Sequence, residues 1–287
     1  GDVWIHTKMV LDEALKQNIH LFPEDRCNAI FLACLMHDIG KPKTTSVWPD
    51  GKVTSRGHSK VGELMTRKIL WEMNFPYDQR ELICNLITYH QIPFYLIEKD
   101  FAEARKIAHK LSLIANNELL IILAYADILG RKCQDLQRIL DNIKCFEQFC
   151  IEETCLYYSI QYPNDHTRFM YFNSYGRDPN YEIYDDFSEN YIYVMSGLPG
   201  SGKDHYIKNN LSHLPIISLD DLRDEFDVDS EDNQGKILQE AKERAKQFLR
   251  KKESFVWNAT NINKQRRDPI LVMIYDYKMK SHIVYIE

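Results

Sequence analysis

Six side chains able to hold a metal are spread over the front half of the chain: His6, the adjacent His37 and Asp38, His58, His90 and Asp127. Imidazole and carboxylate are the donor types that suit Mn, Fe, Co, Ni or Zn. His37 and Asp38 close the apolar run CNAIFLACLM, and Asp127 stands inside another, AYADIL. Bare polar groups in such surroundings are costly, so coordination is the reading that accounts for them. Asp38 has two oxygens and can serve two metals. With His6, His37, Asp38 and Asp127 on a first ion, His58 and His90 are free for a second. A pair of ions there would acidify a water and aim it at a phosphorus atom. Lys41 and Arg131, close to Asp38 and Asp127 in sequence, are the cations that would neutralise a phosphate.

A second constellation lies near residue 200. Gly197-Leu-Pro-Gly-Ser-Gly-Lys203 fits G-x-x-x-x-G-K, after a strand-like run and before a helix-like one. Backbone N–H groups around Gly197, Gly200, Ser201 and Gly202 would ring a phosphate, and Lys203 would reach the β and γ oxygens of ATP. The residue after the lysine is Asp204, where Ser or Thr is usual for Mg²⁺. Asp220 follows the next strand-like run and would take a proton from an attacking hydroxyl. Arg223, one helical turn on, would hold a phosphate of the acceptor. Asn258 and Thr260 fall at the end of a third run, at the sheet edge where α/β proteins bind ligands. Arg266 and Arg267 open the helix after it, and one of them suits a structural salt bridge. The front half thus points to metal-dependent removal of phosphate, and the back half to its ATP-dependent addition.

Plainer readings compete at several positions. His58 sits in a loop feeding a helix, and His90 ends a helix whose dipole favours a histidine. His20 and His109 look like ordinary surface or edge histidines. Seven cysteines without a CxxC pair suit buried free thiols in a reducing compartment better than disulfides. Cys145, Cys150 and Cys155 form a weaker alternative as metal ligands.

At 287 residues, 44% hydrophobic and 27% charged, the chain has room for two modest domains of ordinary globular make-up. It has no apolar stretch long enough to cross a membrane and no signal peptide at its start, so a cytoplasmic protein is expected. The net charge of −6 argues against a broad nucleic-acid cradle, while allowing contact with a few phosphates. Residues 1–160 read as almost all helix, including a long amphipathic helix over 134–158. Residues 161–190 read as a linker, in which 168–173 suits a strand. From 191 the pattern becomes strands at 191–196, 216–219, 255–258 and 282–286, with helices from 203, over 230–252 and over 263–278 between them. The expected fold is an all-α domain followed by an α/β domain with a parallel sheet.

The ordered set His6, His37-Asp38, His58, His90, Asp127, with the phrase LMHDIGK, resembles the HD-domain metal-dependent phosphohydrolase superfamily over roughly residues 1–135. The added histidines at 58 and 90 resemble its binuclear members. Those often carry one more histidine beside the last, where Gln91 stands here. The phrases GLPGSGKD, SLDDLR and WNATNINKQRR resemble the P-loop polynucleotide 5′-kinases over about 191–287. That resemblance implies Asp220 as general base, Arg223 on the acceptor phosphate, and Lys203 and Asp204 on ATP and magnesium. Its last phrase often begins with Asp, matched here by Asn258. Such kinases continue into an Arg-bearing lid, so the chain is expected to be a piece that lacks it and the positive charge a lid brings to phosphoryl transfer.

Together the halves resemble bacterial two-domain RNA end-healing enzymes. One domain would clear 2′,3′-cyclic, 2′- or 3′-phosphate ends and the other would phosphorylate 5′-hydroxyls, leaving ends for an RNA ligase. The front half is also similar to the HD part of CCA-adding tRNA nucleotidyltransferases. The alternatives are a nucleotidase or cyclic-nucleotide phosphodiesterase fused to a small-molecule or nucleoside kinase, and a non-enzymatic ATP-gated regulator.

Overall fold

The structure is a computed structural model that describes residues 2–131, 134–174, 176–228 and 234–287. It divides into two compact units, Gly1–Ile183 and Tyr184–Glu287.

The first unit is helical: α1 (Val3–Lys16), α2 (Glu24–Met36), the single turn α3 (Lys41–Thr44), α4 (His58–Glu72), α5 (Tyr77–Tyr89), α6 (Phe101–Ile114), α7 (Asn117–Leu129), α8 (Leu136–Glu152) and α9 (Asp165–Asn173). Local chemistry sets several starts. The side chains of Asp2, Asp100, Asn116 and Asn164 accept from the first free N–H groups of α1, α6, α7 and α9. α7 is apolar almost all round, and its Leu119–Ala124 stretch is buried throughout. A helix of that kind belongs at the centre of a bundle. α1, α2, α5 and α8 pack on it or beside it through Val10, Ile30, Leu86 and Phe146, all fully buried. A small antiparallel hairpin, β1 (Ser46–Val47) with β2 (Val53–Thr54), interrupts the helices. Among the described residues no single helix is long and apolar enough to cross a membrane.

Three expectations need correction here. Residues 168–173 lie in helix α9, not in a strand. Asn164 caps that helix, whose buried residues are His166, Thr167 and Tyr171, the last one turn beyond the second. The long helix ends at Glu152, short of residue 158, because Thr154 takes a left-handed φ of 53° and turns the chain. His109 is fully buried, not at the surface. Its Nε2 lies 3.0 Å from Glu153 Oε2, and its Nδ1 accepts from the Tyr171 hydroxyl at 2.9 Å. His20 is exposed, as the sequence suggests. Cys34, Cys84, Cys150 and Cys155 are buried free thiols, Cys27 is half-buried and Cys145 exposed, and Cys133 lies outside the described residues. No cysteine joins a metal-type cluster among the described residues.

The second unit is a parallel sheet of order β4-β5-β3-β6, made of β3 (Tyr191–Ser196), β4 (Ile216–Ser218), β5 (Phe255–Asn258) and β6 (Lys280–Tyr285). The helices α10 (Lys203–Asn210), α11 (Leu219–Phe226), α12 (Gln234–Lys251) and α13 (Lys264–Asp276) cover it. Side chains alternate across each strand. Ile192, Val194, Phe255 and Trp257 pack with Ile237, Leu249 and Ile274 of α12 and α13. Met195, Val256 and Val284 pack on the other face with Ile207 of α10. The expected helix over 230–252 begins at Gln234, and residues 229–233 lie outside the described part.

Candidate functional site

The six metal-type residues come together in the first unit. His6 stands on α1, His37 caps the C-terminus of α2, and Asp38 follows it. His58 opens α4, His90 caps the C-terminus of α5, and Asp127 lies near the end of α7. They form two triads, His6–His37–Asp127 and Asp38–His58–His90, with the donor atoms of each within 4.8 Å of one another. Asp38 sits between them. Its Oδ2 lies 3.3 Å from His37 Nε2 and 3.5 Å from His6 Nε2, while its Oδ1 lies 3.4 Å from His58 Nε2. Asp127 likewise offers Oδ1 to His6 at 3.0 Å and Oδ2 to His90 at 4.0 Å.

Close backbone approach builds this arrangement. A Cβ on Gly130 would stand 3.0 Å from the Val10 nitrogen, so the glycine lets α1 lie tight against the end of α7 and brings His6 to Asp127. A Cβ on Gly40 would stand 2.1 Å from the His58 carbonyl oxygen, so that glycine lets the start of α4 close over Asp38.

Backbone carbonyls orient the four imidazoles, and no residue-type pattern announced them. His37 Nδ1 donates to Cys34 O at 2.8 Å, His58 Nδ1 to Ser55 O at 2.8 Å, and His90 Nδ1 to Ile87 O at 2.7 Å. In each case the carbonyl belongs to the residue three before. His6 Nδ1 reaches Gly130 O at 3.1 Å. A carbonyl only accepts, so Nδ1 carries a proton in each ring, and the Nε2 of each neutral ring turns a lone pair to the cluster. His58 Nε2 and His90 Nε2 are buried and have no hydrogen-bond partner among the described residues. Orphaned lone pairs, two buried carboxylates and converging imidazoles are the donor set a divalent metal fits.

The electrostatics agree. Burial works against ionised carboxyls, yet His37 and Lys41 outweigh it at Asp38 and hold its carboxyl far below the usual range. Burial likewise opposes charge on Asp127, and contact with His6 and the fields of His37 and Arg131 overcome it. Burial pulls His90 down to about 4, so its imidazole is neutral and free to coordinate. On His37, burial is outweighed by Asp38 and Asp127, and its pKa is raised. Lys41 Nζ pairs with Asp38 Oδ2 at 2.5 Å and Arg131 Nη2 with Asp127 Oδ2 at 2.9 Å, so both cations are anchored on ligand carboxylates at the margin of the cluster. Gln91 follows His90 into the next turn and joins neither triad.

In the second unit the loop 197–202 links β3 to α10. Gly200 and Gly202 take φ of 75° and 95°, a conformation that only glycine adopts freely. The Gly197 N–H donates to Thr260 O at 2.9 Å, and Asn261 Nδ2 donates to Met195 O at 2.9 Å, which fastens the segment after β5 to the loop. Lys203 is buried, with Nζ donating to the Leu198 carbonyl at 2.7 Å and the Gly197 carbonyl at 3.2 Å. Asn258 Nδ2 donates to Asp204 Oδ1 at 2.7 Å. Asp220 lies one residue deeper into helix than the sequence suggests. β4 ends at Ser218, whose hydroxyl caps α11, and Asp220 stands exposed in the first turn of that helix, paired with Arg223. Arg223 Nε also reaches Gln234 at 3.1 Å. Arg267 donates to the carbonyls of Asn261 and Ile262, a structural task, while Arg266 is exposed.

Comparison with known proteins divides the chain in the same two places. Residues 3–132 match the HD domain family, and residues 192–287 match an AAA domain family, AAA_33. The chain is also 31% identical over 93 residues to the A-adding tRNA nucleotidyltransferase of Deinococcus radiodurans, a match that covers 32% of this chain. The matched stretch spans about a fifth of that relative's length, 21%.

Proposed function

From a chain that carries an HD domain followed by a P-loop kinase-like domain, we propose a bifunctional RNA end-healing enzyme. The HD domain would hydrolyse 2′,3′-cyclic, 2′- or 3′-phosphate ends, and the P-loop domain would pass the γ-phosphate of ATP to a 5′-hydroxyl end. The observation that carries the hydrolase half is the pair of triads with Asp38 of the second also facing His6 and His37 of the first, and every histidine Nε2 turned inward.

His6, His37 and Asp127 would hold one divalent ion, and His58 and His90 a second, with Asp38 common to both. Bound metal would supply a Lewis acid and an acidified water. The chain's own residues do the rest. The four Nδ1–H donors keep the rings from turning, so no lone pair has to be reoriented before reaction. Lys41 and Arg131 place two cations beside the cluster, where they would bind the non-reacting oxygens of a phosphate.

In the P-loop domain, the loop N–H groups and Lys203 would hold the ATP phosphates. Asp220 would accept the proton of the attacking hydroxyl, and Arg223, already its partner, would take the neighbouring acceptor phosphate. Asn258 and Thr260 stand at the same sheet edge as the loop. One thing favours RNA, the likeness to a protein named for adding A to tRNA. The net charge of −6 limits the contact to an end and a few phosphates, not a length of duplex.

The test is phosphate release from matched RNA oligonucleotides ending in 2′,3′-cyclic, 2′- or 3′-phosphate, with Mn²⁺, Ni²⁺, Co²⁺ or Zn²⁺ and an Asp38→Ala control. Transfer of labelled γ-phosphate to 5′-hydroxyl RNA is followed alongside. Metal-dependent turnover that the control lacks supports the reading. Turnover of free nucleotides with none on any RNA end replaces it with nucleotide metabolism. Metal binding without turnover of either class replaces it with a regulator.

A further inference from the structure

P-loop sites commonly hold magnesium from two sides, by the hydroxyl of the Ser or Thr after the loop lysine and by a carboxylate at the end of a neighbouring strand. In this chain both positions differ, and they differ reciprocally. The residue after Lys203 is Asp204, in the first turn of α10, and the residue that ends β5 beside β3 is Asn258. The two side chains touch, since Asn258 Nδ2 donates to Asp204 Oδ1 at 2.7 Å. A carboxylate only accepts, so this contact fixes which way the amide faces. Asn258 Oδ1 is then left buried with no partner among the described residues, on a side chain only 9% exposed. Ser201 Oγ, in the loop itself, is also buried and unpartnered. Buried acceptors left unpaired are unfavourable, and a hard cation satisfies such oxygens.

We propose that Asp204 and Asn258 together form the magnesium seat of the nucleotide site, with the Asp204 carboxylate and Asn258 Oδ1 as its oxygen donors. The proposal rests on the reading of the second unit as an ATP site. The exchange leaves one negative charge facing the metal, as in the ordinary arrangement. Had Asp204 been added opposite an Asp at 258, two carboxylates would repel each other and the triphosphate. The Asn258–Asp204 hydrogen bond also holds the carboxylate on the strand side of the loop and leaves its second oxygen free. Magnesium keeps several waters and takes few protein ligands, so two donors suffice.

The experiment measures ATP affinity of the full chain by titration calorimetry, in EDTA and in Mg²⁺. It compares the natural protein, Asp204→Ser, Asn258→Asp and the double exchange Asp204→Ser/Asn258→Asp, with each fold checked by circular dichroism. The natural protein should bind ATP in EDTA and tighten roughly tenfold with Mg²⁺, the range of one charge-assisted contact. Asp204→Ser should strengthen metal-free binding, by removing a carboxylate beside the triphosphate, and lose the tightening. Asn258→Asp, with two carboxylates, should weaken metal-free binding. The double exchange should recover most of the tightening, a result that a merely structural hydrogen bond would not give. Full Mg²⁺ tightening in Asp204→Ser, or a double variant no better than either single one, overturns the proposal. No binding of ATP under either condition overturns the nucleotide reading first and this seat with it, which separates the two failures.

Discussion

The Nε2 atoms of His6 and His37 face each other at 3.3 Å, while the Nδ1 atom of each ring is committed to a backbone carbonyl. With both rings neutral, neither Nε2 has a proton to give the other. Two lone pairs at that separation repel unless a cation, a proton or a metal ion, lies between them. Imidazole nitrogens bound to one metal at about 2.1 Å, with an angle between right and tetrahedral, are themselves about 3.0–3.4 Å apart. Chelator treatment should therefore destabilise the helical unit, and readdition of Mn²⁺ or Zn²⁺ should restore it. At a hundredfold excess over Kd the gain is about 2.7 kcal/mol. Thermal melts of natural and His6→Ala protein, each with and without metal, measure it. An equal metal response in both proteins would falsify the role given to His6.

Gly130→Ala should damage the same cluster without touching a ligand. The new Cβ meets Val10 backbone and side chain and has no flexible group to displace. Overpacking of this kind costs about 1–3 kcal/mol. Because α1 is what must retreat, metal content measured by elemental analysis should fall along with the melting temperature. Loss of stability with full metal content would show that α1 can shift without withdrawing His6.

Lys203→Ala should weaken ATP binding by about 1.5–3 kcal/mol, roughly ten- to a hundredfold in Kd, by removing a cation that bonds to charged oxygens. The fold should tolerate it, since only two carbonyl contacts are lost. Equilibrium binding of a fluorescent ATP analogue reads the change, and an unaltered Kd would remove Lys203 from the nucleotide site.

His109 gives a pH dependence. Burial holds its pKa below the ordinary 6.5, while Glu153 and Asp178 pull the other way and Arg105 reinforces the fall. The unfolded chain therefore takes up the proton first. The stability this histidine contributes is complete above the unfolded value and declines as pH falls through it toward the folded one. Urea unfolding between about pH 7 and pH 5 should show a steeper loss for the natural protein than for His109→Gln, which has no titrating ring. The difference between the two isolates His109 from the metal-type histidines. Parallel curves would mean that its folded and unfolded pKa values coincide.

What the sequence reveals here is chemistry that resides in residue types. Six donors, a glycine-lysine loop and the strand pattern after 191 can be read before any coordinates, because each depends on a local run of side chains. What orients those donors cannot be read. The carbonyls of Cys34, Ser55, Ile87 and Gly130 belong to no residue type in particular, and helix ends and packing alone decide where they point. The buried place of His109 is hidden for a related reason: its partners Glu153 and Tyr171 lie far along the chain. Residues 168–173 have the aromatic content of a strand, yet the deciding signal was Asn164, a single capping residue ahead of them.

Tyr171 and its hydrogen bond to His109 bear on how the chain can be divided for separate expression. Shears placed at residue 160, between α8 and α9, would leave the Glu153–His109 pair without its hydroxyl donor and remove the helix that carries Tyr171. The Ile183 N–H, which donates to Thr167 Oγ1 at 3.0 Å, is one of the stitches holding that segment in place. A fragment meant to stand alone should keep it, and end there.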